Sequence, residues 1–193
     1  MTTLMTIRNS NSFLDDQRLA HQARSDPEAF AELYRRHVAS VYRYHLAYTG
    51  NVKDAEDLTS QTFMAALEGI RSYRGTGPYI TWLIGIASHK RARFFRGNRP
   101  EVPLDAALNL PTTSPPTDQA AARRLQMDLV LGALQTLSPD RTEALILCFF
   151  SGLSPSEAGL VLRKSETAVR MLISRGLQDL RTRTSFALEV DYE

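Results

Sequence analysis

The sequence predicts an all-α fold in which two small helical domains are joined by a flexible linker. Apolar residues recur at three- and four-residue steps in both halves of the 193-residue chain. Prolines and threonines crowd the stretch from Pro100 to Asp118, and alternating runs rich in Val, Ile and Thr are absent from the sequence. The predicted organisation is an N-terminal tail (1–11), a first domain (12–98), a linker (99–119), a second domain (120–183) and a C-terminal tail (184–193).

Three helices are predicted in the first domain. Asp26 followed by Pro27 is typical of an N-cap with proline at the first helical position, and Gly50 suits the end of that helix. Asn51 caps the next helix, whose apolar stripe leaves acidic and amide side chains on another face. The third helix begins at Tyr79 after a turn rich in glycine and proline, is apolar nearly all round, and then becomes abruptly basic.

Four shorter helices are predicted in the second domain, and the residues that flank them mark their ends. Ser138 and Ser154 each precede a proline, and Glu157 completes a capping box with Ser154. Gly152 lies where a helix C-terminus needs the left-handed conformation. The predicted spans are 120–137, 139–150, 155–162 and 166 to about 183.

The net charge is only +2, from 23 basic and 21 acidic residues, but the charges are segregated along the chain. No Asp or Glu occurs between Gly69 and Pro100, where basic and aromatic side chains are interleaved. Such a segment attracts nucleic acid, and aromatic rings beside cations suit unstacked single-stranded bases. The structural alternative is that Trp82 packs in the core and the arginines form a solvated helix end. The candidate contacts are Tyr73, Arg74, Trp82, Lys90, Arg91, Arg93 and Arg96.

The segment from Ser154 to Leu180 has helix-turn-helix spacing, with a short capped helix, a tight turn at Arg163 and Lys164, and a longer helix. The longer helix is predicted to bury a face that includes Val169 and Leu177 and to expose the opposite one. That outward face suits a DNA major groove, and a helical hairpin used only for packing is the alternative. The candidate DNA contacts are Arg163, Lys164, Thr167, Arg170, Met171, Ser174 and Arg175.

The sequence favours neither catalysis nor a metal or cofactor site. The histidines are His21, His37, His45 and His89, which lack metal-ligand spacing, and no glycine-rich phosphate loop or nucleophile elbow occurs. The single cysteine, Cys148, excludes a disulfide framework and fits a reducing, cytoplasmic compartment. The start of the chain lacks a signal-peptide core, and no apolar run approaches the ~20 residues of a membrane helix. We therefore expect a soluble protein that is not exported and has no membrane insertion.

Several motifs, taken in this order and spacing, resemble one known family. In the first half they are Ala29-Phe30 with Leu33-Tyr34, Asp54-Ala55-Glu56-Asp57-Leu58 with Gln61-Thr62-Phe63, and Trp82-Leu83 with Ile86-Ala87. In the second half they are Leu137-Ser138-Pro139, Gly152-Leu153-Ser154, Glu157-Ala158, and Val169 with Arg175-Gly176-Leu177. The chain resembles the extracytoplasmic-function sigma factors of bacterial RNA polymerase, the compact group that keeps only regions two and four.

The resemblance implies a promoter-specificity subunit that binds core RNA polymerase, recognises duplex and melted promoter DNA, and is not an enzyme. It assigns minus-ten recognition and melting to the first domain and minus-thirty-five recognition to the second. It also assigns polymerase binding to a helix face that carries Asp54, Asp57 and Gln61. An anti-sigma factor is a further partner that the family admits. The alternative from a different class is a helix-turn-helix repressor or activator that does not bind core polymerase.

Some positions depart from the family pattern. Arg93 stands where an acidic residue is common, and Gly159 where alanine is usual. Met171-Leu172 occupies the place of a frequent Ser-Arg pair. These departures bear on which promoter sequence is read more than on the function itself.

Overall fold

The computed structural model describes residues 14–97, 129–134 and 136–190, and within these residues the regular structure is helical with no strand. This confirms the predicted all-α fold. The predicted linker (99–119), both chain ends and part of the predicted helix 120–137 lie outside the described residues. The helices are α1 (14–22), α2 (Pro27–Thr49), α3 (Val52–Gly69), α4 (Tyr79–Gly97), α5 (129–134), α6 (Pro139–Leu145), α7 (Pro155–Leu162) and α8 (Glu166–Val190).

The ends of α2 and α3 follow the signals in the sequence. Asp26 accepts a hydrogen bond from the backbone N–H of Glu28 at 2.9 Å and so caps α2. The helix ends at Gly50, whose φ of 62° lies in the left-handed region that glycine adopts without strain. Asn51 accepts from the backbone N–H of Asp54 at 3.2 Å and starts α3. The predicted caps are therefore confirmed.

In the second half, α7 begins with the predicted capping box. Ser154 Oγ accepts from the N–H of Glu157 at 3.2 Å, and the carboxylate of Glu157 accepts from the N–H of Ser154 at 2.8 Å.

One predicted helix end in this half is confirmed and another is wrong. The helical segment predicted over 139–150 does end at Phe150, but its last turn, Ile146–Phe150, is π-helical, and the N–H of Ser151 closes it on the carbonyl of Ile146 at 3.0 Å. This spacing is one residue longer than the α-helical spacing, and a 3.6-residue apolar pattern does not reveal it. The last helix also continues to Val190 rather than ending near Arg183.

One predicted core position of α8 is also wrong. Leu177 is 39% exposed rather than buried. The contact with α6 is made instead at Gly176, where a Cβ atom would lie 2.9 Å from Cδ1 of Leu145. The two helices approach closely at this glycine. Because each residue is rotated about 100° from the one before it, the side chain of Leu177 points away from α6.

The centre of the fold is α2, which packs against α3, α4 and the π-helical turn. A continuous cluster of buried apolar residues includes members from both halves, among them Leu33, Tyr44, Leu83, Leu147 and Val169. Each fully buried large apolar side chain contributes roughly 1.5–3 kcal/mol. The two helical halves therefore share packed surface in this arrangement.

A buried histidine on α2 joins it to α3. Nε2 of His45 lies 3.0 Å from Oγ1 of Thr62, whose hydroxyl donates to the carbonyl of Leu58 at 2.7 Å. Because the Thr62 proton is already used, Oγ1 accepts from the Nε2–H of the imidazole. Burial, with a smaller effect from Arg91, lowers the pKa of His45 to about 4. The imidazole is therefore neutral at pH 7.

We predict that neutral His45 makes the fold less stable as the pH falls from 7 to 5. In the unfolded chain the imidazole titrates near 6.5, whereas in the fold it titrates near 4, so the unfolded state binds more protons between these values. Neutral His45 therefore contributes its full stabilisation above about pH 6.5 and loses it as the pH falls toward 4. At pH 5 the free energy of unfolding is lower by roughly 2 kcal/mol. Urea unfolding of His45→Gln at pH 7 and pH 5 should show a smaller pH effect. The exposed His89→Gln should retain the full effect, and an equal pH effect in both variants would contradict the assignment.

Candidate polymerase and nucleic-acid interfaces

The turn that precedes α4 has a backbone fixed by side-chain hydrogen bonds. Tyr73 donates its hydroxyl to the carbonyl of Gly77 at 2.6 Å, and the guanidinium of Arg24 donates to the carbonyl of Tyr73 at 3.0 Å. The side-chain amide of Gln17 donates to the carbonyl of Gly75, whose φ of 70° lies in the left-handed region. The carbonyls of Tyr73, Gly75 and Gly77 therefore all accept hydrogen bonds from side chains.

Aromatic rings form the floor beneath this turn. The rings of Tyr73, Tyr79 and Trp82 lie with their centroids 5.5 Å apart in each pair. Tyr73 is only 6% exposed and Trp82 is half-buried, so these predicted stacking residues pack inward in this arrangement. Arg74 and Thr76 are the exposed side chains of the turn.

The predicted basic residues of α4 are divided between surface and interior. Arg93 and Arg96 are exposed and Lys90 is half-buried, so three cations lie at three-residue steps toward the end of α4. Residues three apart are neighbours on a helix surface, and neighbouring cations attract a nucleic-acid backbone.

Arg91 instead lies between the two halves. Its guanidinium carbon is 3.8 Å from the ring centre of Tyr48 and 5.5 Å from that of Tyr44, and it donates to the carboxylate of Glu143 at 3.4 Å. Burial raises the pKa of Tyr44 to about 12 and also raises the pKa of Tyr48, so both rings are neutral at pH 7. The contact with these rings is therefore a cation–π interaction, worth roughly 1–2 kcal/mol where partly desolvated.

The helix-turn-helix is formed by α7, α8 and the turn between them. Arg163 closes this turn with a left-handed φ of 55°. A Cβ atom on Gly159 would lie 2.7 Å from the carbonyl oxygen of Lys164, a distance that requires the backbone to move. The close approach of α7 to the turn therefore requires glycine at the position where the resembled family usually has alanine.

The outward face of this helix-turn-helix is exposed. The candidate contacts that lie on it are Arg163, Lys164, Thr167, Arg170, Met171, Ser174 and Arg175. Arg170 donates to the carboxylate of Glu166 through two nitrogens at 2.6 and 3.0 Å, and Nζ of Lys164 lies 3.0 Å from Asp140. Solvent-exposed ion pairs contribute only about 0–1 kcal/mol, so a DNA phosphate or base edge can compete for either cation.

The acidic face predicted on α3 is present near its N-terminus. Asp57 and Gln61 are exposed, and Asp54 is half-buried in the first helical turn. The partial positive charge of a helix N-terminus favours carboxylates there. These side chains together present an accessible acidic surface.

The second half covers one side of the turn that precedes α4. A cleft of about 270 Å³ there is lined by Arg74, Thr76 and Trp82 from the first half and by Leu160 and Val161 from α7. Leu160 is nevertheless 59% exposed. The cleft therefore lies open to solvent between the two candidate DNA surfaces.

Three residues at this turn, Gln17, Arg24 and Thr76, are not identified as site residues by the sequence alone. Gln17 and Arg24 contact carbonyls 58 and 49 positions further along the chain, and no local spacing encodes such a contact. Thr76 lies in a turn and carries no motif. Its exposure beside Arg74 becomes evident only once Tyr73 is placed inside.

Two kinds of feature are absent from the part of the chain that the structure describes. No group of three or more His, Cys, Asp or Glu residues there is arranged to hold a metal ion. Among the same residues, no helix has both the length and the apolar character needed to cross a membrane. Cys148 is a half-buried free thiol whose pKa is raised by burial.

Comparison with known proteins identifies the family. The family model for Sigma-70 region 2 matches residues 33–101, and the model for Sigma-70, region 4 matches residues 127–180. The RNA polymerase sigma factor CarQ of Myxococcus xanthus is 30% identical over 159 residues, which cover 80% of this chain and 88% of CarQ. The chain belongs to the sigma-70 family of RNA polymerase sigma factors, in its extracytoplasmic-function group.

Two further relatives define the extent of the likeness. The ECF RNA polymerase sigma factor BldN of Streptomyces coelicolor is 32% identical over 158 residues, which cover 80% of this chain and 60% of BldN. This chain therefore spans about three fifths of the length of that relative. Among solved structures, CnrH of Cupriavidus metallidurans in complex with the cytosolic domain of CnrY is similar at a TM-score of 0.70 and 25% identity. The match covers 89% of this chain and 97% of the CnrH chain.

Proposed function

We propose that the protein is a promoter-specificity subunit that binds core RNA polymerase, directs it to particular promoters and helps to melt the DNA. One observation supports this proposal. The residues that match region 2 carry an acidic helix face and a basic turn and helix, and the residues that match region 4 carry a helix-turn-helix. Each of these surfaces is accessible. A repressor or activator that uses only the helix-turn-helix leaves the region 2 half without a role.

The two domains divide the work in this proposal. The first, over residues 12–98, binds the core enzyme and the melted minus-ten strand, and the second, over residues 120–183, reads the minus-thirty-five duplex. The protein acts without catalysis of its own in the cytoplasm, where the polymerase works. The likeness to CnrH, solved with the cytosolic domain of CnrY, supports an anti-sigma factor as a further partner.

Holoenzyme formation is the experiment that tests the function. The purified chain is mixed with core RNA polymerase, and the complex is used to select promoters from a DNA library for run-off transcription. Formation of a complex that initiates at selected promoters is the expected result. Sequence-specific DNA binding with no measurable affinity for core polymerase would establish the repressor or activator alternative instead.

We predict that the acidic face of α3 contributes to polymerase binding. Lysine at both Asp54 and Asp57 should weaken binding to core polymerase roughly tenfold or more, because a charge pair across the interface becomes a repulsion. The matched control is Glu56→Lys, since Glu56 is exposed on the same helix but lines a cleft with Tyr34 that contains neither Asp54 nor Asp57. Fluorescence titration of labelled chain with core polymerase at moderate salt measures the affinity. Equal affinities for the double variant and the control would remove this face from the interface.

We predict that Arg74 acts on melted rather than duplex DNA. Arg74→Ala should reduce open-complex formation more than closed-complex binding, because the exposed guanidinium lies where an unpaired base would meet the turn. Arg71→Ala, which removes another exposed cation from the same basic segment, is the control. Permanganate footprinting reports opening, and gel-shift titration at low temperature reports closed binding. Equal losses in both assays would count against a role at the melted strand.

We predict that Arg170 reads sequence and that Lys164 does not. Arg170→Ala should relax the preference at one or two upstream positions by about 1–3 kcal/mol, because its guanidinium can donate two bonds to one guanine edge. Lys164→Ala should weaken binding about equally across sequences and flatten its salt dependence. Selection from a promoter library measures both effects. An unchanged upstream preference in Arg170→Ala would leave Met171 and Ser174 as the next candidates on that face.

A further inference from the structure

We propose that Gln17 and Arg24 are positioning residues for minus-ten recognition. They hold the backbone of residues 73–77 so that Arg74 and Thr76 face the melted strand. This inference rests on the proposed function, because it assumes that this turn meets single-stranded DNA. It adds a role for the N-terminal segment, which carries no sequence motif.

The hydrogen bonds of the turn alternate with its exposed side chains. The carbonyls at positions 73, 75 and 77 accept from Arg24, Gln17 and Tyr73 respectively. The side chains between those carbonyls, Arg74 and Thr76, are exposed. The hydrogen bonds therefore hold the backbone on both sides of Arg74 and on both sides of Thr76.

The segment that supplies Gln17 and Arg24 is itself firmly anchored. Asp16 is only 4% exposed and accepts from Nε2 of His37 at 2.8 Å and from Arg36 at 3.0 Å. The small side chains of Ala20 and Ala23 are buried on the same segment. The two donors consequently act from a support that is packed against α2, rather than from a free chain end.

This turn needs an external support because glycine occupies two of its positions. Gly75 has a φ of 70°, and both Gly75 and Gly77 have more backbone freedom than any other residue type. A turn that orders only when DNA arrives has to lose that freedom at binding, which weakens the complex. The bonds from Gln17 and Arg24 order the turn beforehand.

The test uses holoenzyme that carries variants of the two donors. Gln17→Glu keeps the size of the side chain but removes the amide donor, and Arg24→Ala removes the guanidinium. The matched controls are Gln22→Ala and Arg18→Ala, which change exposed side chains on the same segment. Arg24→Lys serves as a rescue variant, because its ammonium can still donate to a carbonyl.

Two measurements are made on every variant. Hydrogen–deuterium exchange of the free chain reports the opening of residues 74–77. Binding of the holoenzyme to single-stranded minus-ten oligonucleotides, with each base tested at each position, reports base preference. Loss of one bond to the turn should reduce the preference roughly threefold to tenfold and speed exchange. Affinity for core polymerase should stay constant, Arg24→Lys should recover most of the preference, and the controls should match the natural chain.

The outcomes separate this inference from the function on which it rests. If Arg74→Ala and Thr76→Ala lose base preference while Gln17→Glu and Arg24→Ala retain it, the positioning role is overturned and the proposed function stands. Faster exchange with unchanged preference also overturns it, because the bonds would then be structural only. If neither Arg74→Ala nor Thr76→Ala alters the preference, this turn does not read the strand, and both the inference and its assumption fail.

Discussion

The polar contacts of α2 constrain the rest of the structure, because three side chains of this helix each contact a different helix. Nε2 of His37 lies 2.8 Å from the carboxylate of Asp16 in α1, Nε2 of His45 lies 3.0 Å from Oγ1 of Thr62 in α3, and the guanidinium carbon of Arg91 in α4 lies 3.8 Å from the ring centre of Tyr48. Hydrogen bonds and cation–π contacts depend on direction and distance, whereas the hydrophobic effect is non-directional. The polar contacts therefore fix the position of each neighbouring helix along α2, and the turn before α4 is placed as a consequence.

The same constraint divides the basic residues of α4 into two groups. Arg91 is used inside the protein, where it lies on the ring of Tyr48 and pairs with Glu143, while Arg93 and Arg96 remain exposed. A count of charges along the sequence treats these arginines alike. Only the three-dimensional packing shows which of these cations are exposed. The positive surface therefore contains fewer cations than the number of basic residues in the acid-free segment indicates.

The parts of the fold that depend on neighbouring residues could be predicted, and those that depend on distant ones could not. The caps at Asp26 and Ser154 lie within three residues of their partners, so their signals are written locally. The bond from Gln17 to Gly75 joins residues 58 apart, and no periodicity encodes it. The orientation of Tyr73 could not be predicted either, because an aromatic side chain beside cations suits both stacking on a base and packing under a turn, and the surrounding rings decide between them.

The contact between the two halves determines what a DNA strand at the turn would meet. Leu160 and Val161 of α7 line the cleft beside Arg74 and Thr76, so a strand that enters this cleft contacts α7 as well as the turn. DNA binding at the turn and packing of α7 are then coupled, and such a coupling is reciprocal: packing of the halves changes the affinity for DNA by the same factor by which DNA changes the equilibrium of the packing. Leu160 is 59% exposed and contributes little to the packed arrangement, which depends instead on the shared buried core and on the contacts of Arg91 with Tyr48 and Glu143.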